Sequence, residues 1–561
     1  MRPPKLLLVG SAIGLLALSP VRADVRLPGI FGDHMVLQQD INIPVWGWAT
    51  PGEAVTVSLG EKRAQTTADP TGAWRVSLAP SPPRSAPLEL VVAGRNTLVL
   101  RDVLVGEVWL ASGQSNMGYP VASADHASTE IPRADDPHLR LFTVIRKTSV
   151  ERQPDLQGRW EVCAPTTVKN FSAVAYFFGR ELRVKLGRPV GLINSSWGGT
   201  SAQTWLSIDA LRLDPPFTRH VKQWDEALAT HRRVIADPQI ASGYLADLKR
   251  WQTDVAPGFN AATKAFNAPQ APGQAPGAKP VPSRPEPTNP DPMGMPSPAA
   301  RPSTPSVIFN AMIAPLTPFA LRGIIWYQGE ANGGAGLEYR TLLPRLIADW
   351  RAQWGQGDFP FLFVQLPGWD QNQLPADQHD WPFLREAQLT TLTQPRTGMA
   401  VAIDLGDPAN VHPKGKIDVA LRLALAARRV AYGESLVASG PLYRSFAIEN
   451  GAVRVRFTEL GGGLVIGRSP WRPEGVAPLS TSRLLGFALA GADRKWIEAE
   501  ATVSGDTVLV SSPLVPAPVA VRYAWANSPL CNLYNREGLP ASPFRTDDWP
   551  KATLSTFQKS P

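Results

Sequence analysis

A serine on a turn directly after a buried strand can act as a nucleophile, and Ser115 has that setting. Gly113-Gln114-Ser115-Asn116-Met117 follows the apolar run Val108-Trp109-Leu110-Ala111. The glycine two residues before the serine tolerates the tight backbone that lifts a hydroxyl above a sheet. The stretch is not the G-x-S-x-G elbow, because Met117 stands where that motif has its second glycine. A serine needs a base to take its proton, and histidine titrates in the right range for that task. Of the seven histidines, His412 follows a strand-like run in a short loop, Asp404-Leu405-Gly406-Asp407-Pro408-Ala409-Asn410-Val411-His412, that leads into a helical stretch. His126 and His138 lie close behind Ser115 in polar, loop-like sequence and read as surface residues. Acyl transfer also needs donors aimed at the oxyanion. The main chain of Trp197-Gly198-Gly199-Thr200 and the amide of Gln328 in Trp326-Tyr327-Gln328-Gly329-Glu330 are candidates, since paired glycines let backbone approach a ligand closely. The same glycines suit a plain strand-to-helix turn, and Trp326-Tyr327 suits a core. Their joint placement after successive strands is what points to a site.

The elements that must hold these residues alternate between strand and helix from about residue 106. Five apolar runs at 108–111, 189–194, 323–327, 360–366 and 399–404 end in polar or small residues, and helical spacing is visible at 174–186, 339–354 and 417–432. This pattern predicts a mostly parallel sheet with helices on its faces, and ligands of open α/β sheets bind at the carboxyl ends of the strands. Residues 24–105 read as short strands punctuated by Pro51-Gly52 and Pro70-Thr71-Gly72, a small β-sandwich-like domain. Strand patterns return after about 436 and predict a second β-domain over 436–561. Charged helix-forming sequence at 207–254 reads as an insertion into the 106–435 unit. Residues 255–305, dense in Pro, Ala, Gly and Ser, read as a flexible or polyproline-like loop.

The chain has 561 residues with 43% hydrophobic and 19% charged content, which supports several cores and argues against wholesale disorder. Its net charge of +8 includes Arg2, Lys5 and Arg22 and contains no long basic block, so a mildly basic solvated surface is expected and nucleic acid is not. Residues 1–23 carry a basic start, an apolar stretch and Val21-Arg22-Ala23, the pattern of a secretory signal peptide. Export, to the periplasm or the medium, is the expectation, with no membrane association after signal removal. Two cysteines, Cys163 and Cys531, cannot form a disulfide framework or a thiolate metal cluster; one disulfide between them is the single pairing open to the chain.

The blocks Gly113-Gln114-Ser115-Asn116-Met117, Ser196-Trp197-Gly198-Gly199-Thr200, Trp326-Tyr327-Gln328-Gly329-Glu330 and His412-Pro413 resemble those of sialate O-acetylesterases, a branch of the SGNH-type esterases. The opening Leu27-Pro28-Gly29-Ile30-Phe31-Gly32-Asp33-His34-Met35-Val36-Leu37-Gln38 and the stretch 534–547 share the likeness, which leaves out 255–305. The resemblance implies a flavodoxin-like SGNH hydrolase domain flanked by β-sandwich-like domains, no metal and no cofactor. It further implies deacetylation of an O-acetylated sugar through an acyl-enzyme. It assigns Ser115 as nucleophile, His412 as base, and Gly199, Gln328 and the Ser115 N–H as oxyanion donors. SGNH-type esterases commonly carry an aspartate three residues before the histidine, where this chain has Ala409. Asp407 is the nearest candidate for the third member, with Asp404 behind it, or a backbone carbonyl orients His412 in a dyad. Two other functions fit the residues: the same chemistry on acetylated xylan or another plant polysaccharide, and non-catalytic carbohydrate binding, suggested by two β-rich regions and 18 tryptophans.

Overall fold

Strand Thr97–Gly113 spans 17 residues and organises the molecule. Its first half pairs antiparallel with Arg84–Ala93 and parallel with Val36–Gln38, and its second half, buried throughout, runs up the middle of the central sheet. The boundary expected between 105 and 106 therefore falls inside one continuous strand. The computed structural model describes residues 24–266, 280–287, 302–370, 380–467 and 482–550. The expected signal peptide and most of the expected Pro-rich loop lie outside the described residues.

Across the central sheet the strands run Thr397–Val401, Phe361–Gln365, Gly323–Tyr327, Thr97–Gly113, Val190–Ser196, Asp136–Thr143 and Trp160–Cys163. Every neighbouring pair is parallel except the last, which is antiparallel. Strands of this kind, covered on both faces, read as continuous apolar runs, and Gly323–Tyr327 and Phe361–Gln365 are buried at every position. Helices Ala173–Leu186, Gly336–Trp354 and Lys416–Tyr432 form where apolar residues recur at helical spacing, and each ends at a glycine in the left-handed conformation. Trp326 packs edge-on against Trp205 and Trp350. Trp109, Trp205, Trp326 and Trp350 are fully buried, so these indoles belong to the core rather than to a sugar-binding platform.

Strand Asp136–Thr143 lies where sequence polarity suggests a loop, and it carries His138. The polar pattern misleads because Arg140 is buried and forked onto Asp102 at 2.7 and 3.1 Å. Helices also differ from expectation: Ala256–Phe266 is helical at the start of the expected loop, in an alanine-rich stretch.

On the amino-terminal side, Ala54–Leu59 and Ala73–Leu78 alternate buried and open positions as half-buried strands do. On the carboxyl-terminal side, Leu442–Glu449, Ala452–Thr458, Thr507–Ser511 and Glu500–Ser504 form one antiparallel sheet. Phe487–Ala490, Trp496–Glu498, Ala520–Tyr523 and Phe544–Arg545 form another. Cys163 and Cys531 are separate buried thiols, each pushed up to about 12 by desolvation. No helix among the described residues is long and apolar enough to cross a membrane.

Candidate active site

Thr97–Gly113 is the switch point of the sheet, because the strands that follow it in sequence lie on both of its sides. A crevice opens at the carboxyl end of such a strand, and the residues singled out in the sequence converge there. Gly113 adopts φ +131°, and a Cβ on it would lie 2.2 Å from the Tyr327 carbonyl oxygen. Only glycine allows the chain to turn this close to the neighbouring strand. The turn closes when Met117 and Gly118 both donate their N–H to Gln114 O at 3.0 Å. Ser115 sits on it, half-buried.

Ser115 Oγ lies 2.7 Å from His412 Nε2. That is hydrogen-bond distance for transfer of the hydroxyl proton to a base. The His412 ring stacks on Tyr119, with centroids 6.3 Å apart. From the neighbouring strand, Trp197-Gly198-Gly199 folds over the serine: a Cβ on Gly198 would lie 3.2 Å from Ser115 Cβ, and Gly199 has φ +73°. Among the described residues the N–H groups of Ser115, Gly198 and Gly199 donate to no protein acceptor. They are donors available to a ligand oxygen.

Gln328 is held differently from the expected oxyanion donor. It is fully buried, its Nε2 is directed to Asn332 Oδ1 at 2.8 Å and to Gln114 Oε1 and Thr200 O at 3.2 Å, and its Oε1 accepts from Tyr339 Oη at 2.8 Å. Asn332 Oδ1 also accepts from Ala202 N–H. The amide thus ties together the three loops that carry Ser115, the glycine pair and Glu330.

The acidic candidates separate. Asp404 takes both terminal nitrogens of Arg422, at 2.7 and 2.8 Å, and the Tyr534 hydroxyl at 2.9 Å, which commits it to joining the sheet to the carboxyl-terminal region. Asp407 stays in the histidine loop, where its Oδ1 accepts from Ala409 N–H at 2.9 Å. Asn410 Oδ1 accepts the His412 N–H at 2.9 Å and fixes the backbone there.

A buried polar cluster that the sequence did not single out lies behind the pair. Asn116 Nδ2 donates to Glu330 Oε1 at 2.5 Å and to Val411 O at 2.9 Å. Lys416 Nζ donates to Asn116 Oδ1 at 2.6 Å and to Pro413 O at 2.5 Å. The carbonyls on either side of His412 are therefore pinned to the residue after Ser115. Lys416 is 1% exposed, and burial pulls its pKa down to about 7 against the opposing pull of Glu330 and Asp125. Burial raises Glu330, with the Asn116 hydrogen bond and Lys416 opposing. Asn116 and Glu330 are the signals of this cluster in the sequence, inside the serine block and the Gln328 block; nothing marked Lys416.

Among the described residues no group of three or more His, Cys, Asp or Glu side chains could hold a metal ion. What the arrangement can do is proton transfer from a serine to a histidine beside free main-chain donors, the requirements of acyl transfer.

Residues 105–236 and 306–429 match the family described as "Carbohydrate esterase, sialic acid-specific acetylesterase". The chain is 31% identical to a rat sialate O-acetylesterase, covering 92% of this chain and 94% of the relative, and 30% identical to the mouse protein with the same coverage. A crystal structure of a carbohydrate acetylesterase from Xanthomonas citri superposes with a TM-score of 0.73 at 35% identity, covering 94% of this chain and all of that one. With a serine and histidine in contact at the switch point and this likeness running nearly end to end, the protein is a carboxylic ester hydrolase that belongs to the sialic acid-specific acetylesterase family of carbohydrate esterases.

Proposed function

We propose that the protein is an exported serine esterase that removes O-acetyl groups from sialic acids. The carrying observation is the 2.7 Å contact between Ser115 Oγ and His412 Nε2 beside the Gly198-Gly199 main chain. His412 takes the Ser115 proton as Oγ attacks the acetyl carbonyl. The oxyanion is received by the N–H groups of Ser115 and Gly199, with Gln328 bracing the loops that present them. Collapse of the tetrahedral intermediate expels the sugar alcohol, which takes the proton from His412. His412 then activates water to hydrolyse the acetyl-serine and release acetate. Asp407 is our choice for the group that orients His412, since Asp404 is committed to Arg422 and Tyr534.

The catalytic unit over 106–435 reads as an SGNH-type relative of the flavodoxin-like fold, between β-domains at 24–105 and 436–561. Counted along the chain, the six parallel strands lie in the order 2-3-1-4-5-6. This differs from the flavodoxin order 2-1-3-4-5 in the placement of the second and third strands and keeps the switch point beside strand 1. Residues 1–23 are proposed to be cleaved on export, which amino-terminal sequencing of the secreted protein tests.

A second reading, the same chemistry on another acetylated carbohydrate such as xylan, is supported by the likeness to the Xanthomonas citri carbohydrate acetylesterase. Acetate release from 9-O-acetylated sialic acid and from acetylated xylan, by the wild type and Ser115→Ala, separates the two. Release from the sialic acid is expected, with loss of roughly 10³-fold or more in Ser115→Ala. Release from xylan alone transfers the chemistry to the other substrate, and release that survives Ser115→Ala removes the nucleophile. Asp407→Asn in the same assay is expected to lose on the order of 10⁴-fold; a loss below tenfold assigns the orienting role to backbone.

A further inference from the structure

Three arginines packed against the central sheet are paired with carboxylates: Arg140 with Asp102, Arg322 with Glu107 and Arg422 with Asp404, each at 2.7 Å. Arg146 stands beside the active site. Its Nε donates to Ser196 O at 3.1 Å, and among the described residues no carboxylate lies within ion-pair distance of it. The side chain is open to solvent on its outer side, yet its surroundings desolvate it enough to lower its pKa. An exposed guanidinium with one nitrogen fixed on main chain and no carboxylate in reach has donors to offer an anionic ligand.

Its location fits a ligand role. Ser196 ends the strand that leads into Trp197-Gly198-Gly199. A Cβ on Gly118, at the close of the Ser115 turn, would lie 2.8 Å from Ser196 Oγ and 3.7 Å from Arg146 Nη2. The guanidinium therefore reaches the turn that holds the nucleophile, and the glycine at 118 is what lets Ser196 and Arg146 approach that turn. With Nε spent on Ser196 O, the terminal nitrogens remain as donors whose planar spacing suits a carboxylate.

We infer that Arg146 binds the carboxylate of an acidic sugar whose acetyl ester lies at Ser115, and so sets preference for sialate esters over neutral acetylated sugars. This rests on the sialate reading and adds the residue that enforces it. A sialic acid carries a carboxylate at C1 and an acetyl ester on its glycerol side chain, so one molecule has both groups to offer.

The test compares 9-O-acetyl-N-acetylneuraminic acid with its C1 methyl ester, which loses the charge and gains one methyl group, using the full chain as wild type, Arg146→Gln and Arg146→Lys. The wild type is expected to show a KM roughly ten- to a hundredfold lower for the free acid, the range for a hydrogen bond to a charged group. Arg146→Gln is expected to bring that ratio close to one, mainly through KM. Arg146→Lys, which keeps the charge and loses the fork, is expected to retain part of it. An acid preference that survives in Arg146→Gln overturns the assignment, and so does a wild type that uses both forms equally, which leaves the sialate reading standing. Serine-dependent release from acetylated xylan with none from either sialate form overturns both.

Discussion

At the scale of single residues, the serine and histidine that meet at the switch point were legible and the residues that hold them there were not. Ser115 and His412 announce themselves because each stands on a short loop after an apolar run, where a polar side chain has few structural reasons to be. Gln328 looked like an oxyanion donor for the same reason, yet its amide is consumed by Gln114, Thr200 and Asn332. Sequence locates a polar group near a site without saying which oxygens claim it first. Lys416 was invisible, since a lysine at the start of a helix ordinarily points to water. Here it is buried, bonded to Pro413 O and Asn116 Oδ1, and lies over the Tyr119 ring at 4.8 Å. It fixes the Pro413 carbonyl, one residue beyond His412, and should act on rate more than on substrate binding. Lys416→Met is expected to lower kcat by about a hundredfold with little change in KM, the scale of a misplacement near 1 Å. Steady-state kinetics checks this, with the melting temperature measured alongside; equal effects on kcat and KM, or none, would remove the positioning role.

At the scale of elements, periodicity found five of the six parallel strands of the central sheet and the helices Ala173–Leu186, Gly336–Trp354 and Lys416–Tyr432, because strands covered on both faces and helices packed on one face leave clear patterns. What it missed are strands whose polarity is neutralised by a partner distant in sequence, as Arg140 in Asp136–Thr143 is by Asp102. Helix Lys416–Tyr432 shows the opposite conflict. Asp418 lies in its first turn, where the helix dipole favours a carboxylate, but its Oδ2 is buried without a partner and desolvation raises its pKa to about 7, with Arg422 opposing and Asp404 and Asp125 adding to the rise. The folded state therefore holds this proton more tightly than the unfolded chain, and the stability Asp418 permits is lost as pH rises from about 4 through 7. Asp418→Asn should stabilise the protein at pH 8 by on the order of 1–4 kcal/mol, with the gain vanishing toward pH 4. Denaturant midpoints at the two pH values test this, and a gain of equal size at both would show that ionisation of Asp418 is not the cause.

At the scale of the molecule, the β-regions are not appendages. Thr97–Gly113 carries the amino-terminal sheet straight into the turn that holds Ser115, and Arg385 performs the corresponding join on the other side. This arginine is fully buried and donates to Leu366 O, Pro367 O, Ala526 O and Asn527 O at 2.7 to 2.9 Å. Gln365 Nε2 bonds Ser542 Oγ, and Arg545 pairs with Glu386 at 2.8 Å across the same seam. The segment so held leads to the active site, because a Cβ on Gly406, in the histidine loop, would lie 2.1 Å from Gly368 O. The carboxyl-terminal region thus supports the wall on which His412 stands. In the wild type, loss of esterase activity and loss of the near-ultraviolet signal should coincide as denaturant is raised, since neither part keeps its buried polar groups satisfied without the other. Arg385→Met leaves four buried carbonyls without their donor and is expected to cost about 3 kcal/mol or more. It should also separate the two transitions, with activity lost at the lower denaturant concentration as the seam opens and the histidine loop loses its backing. An unchanged midpoint with coincident transitions would mean that the seam is held by its remaining contacts and that His412 is positioned from within the central sheet alone.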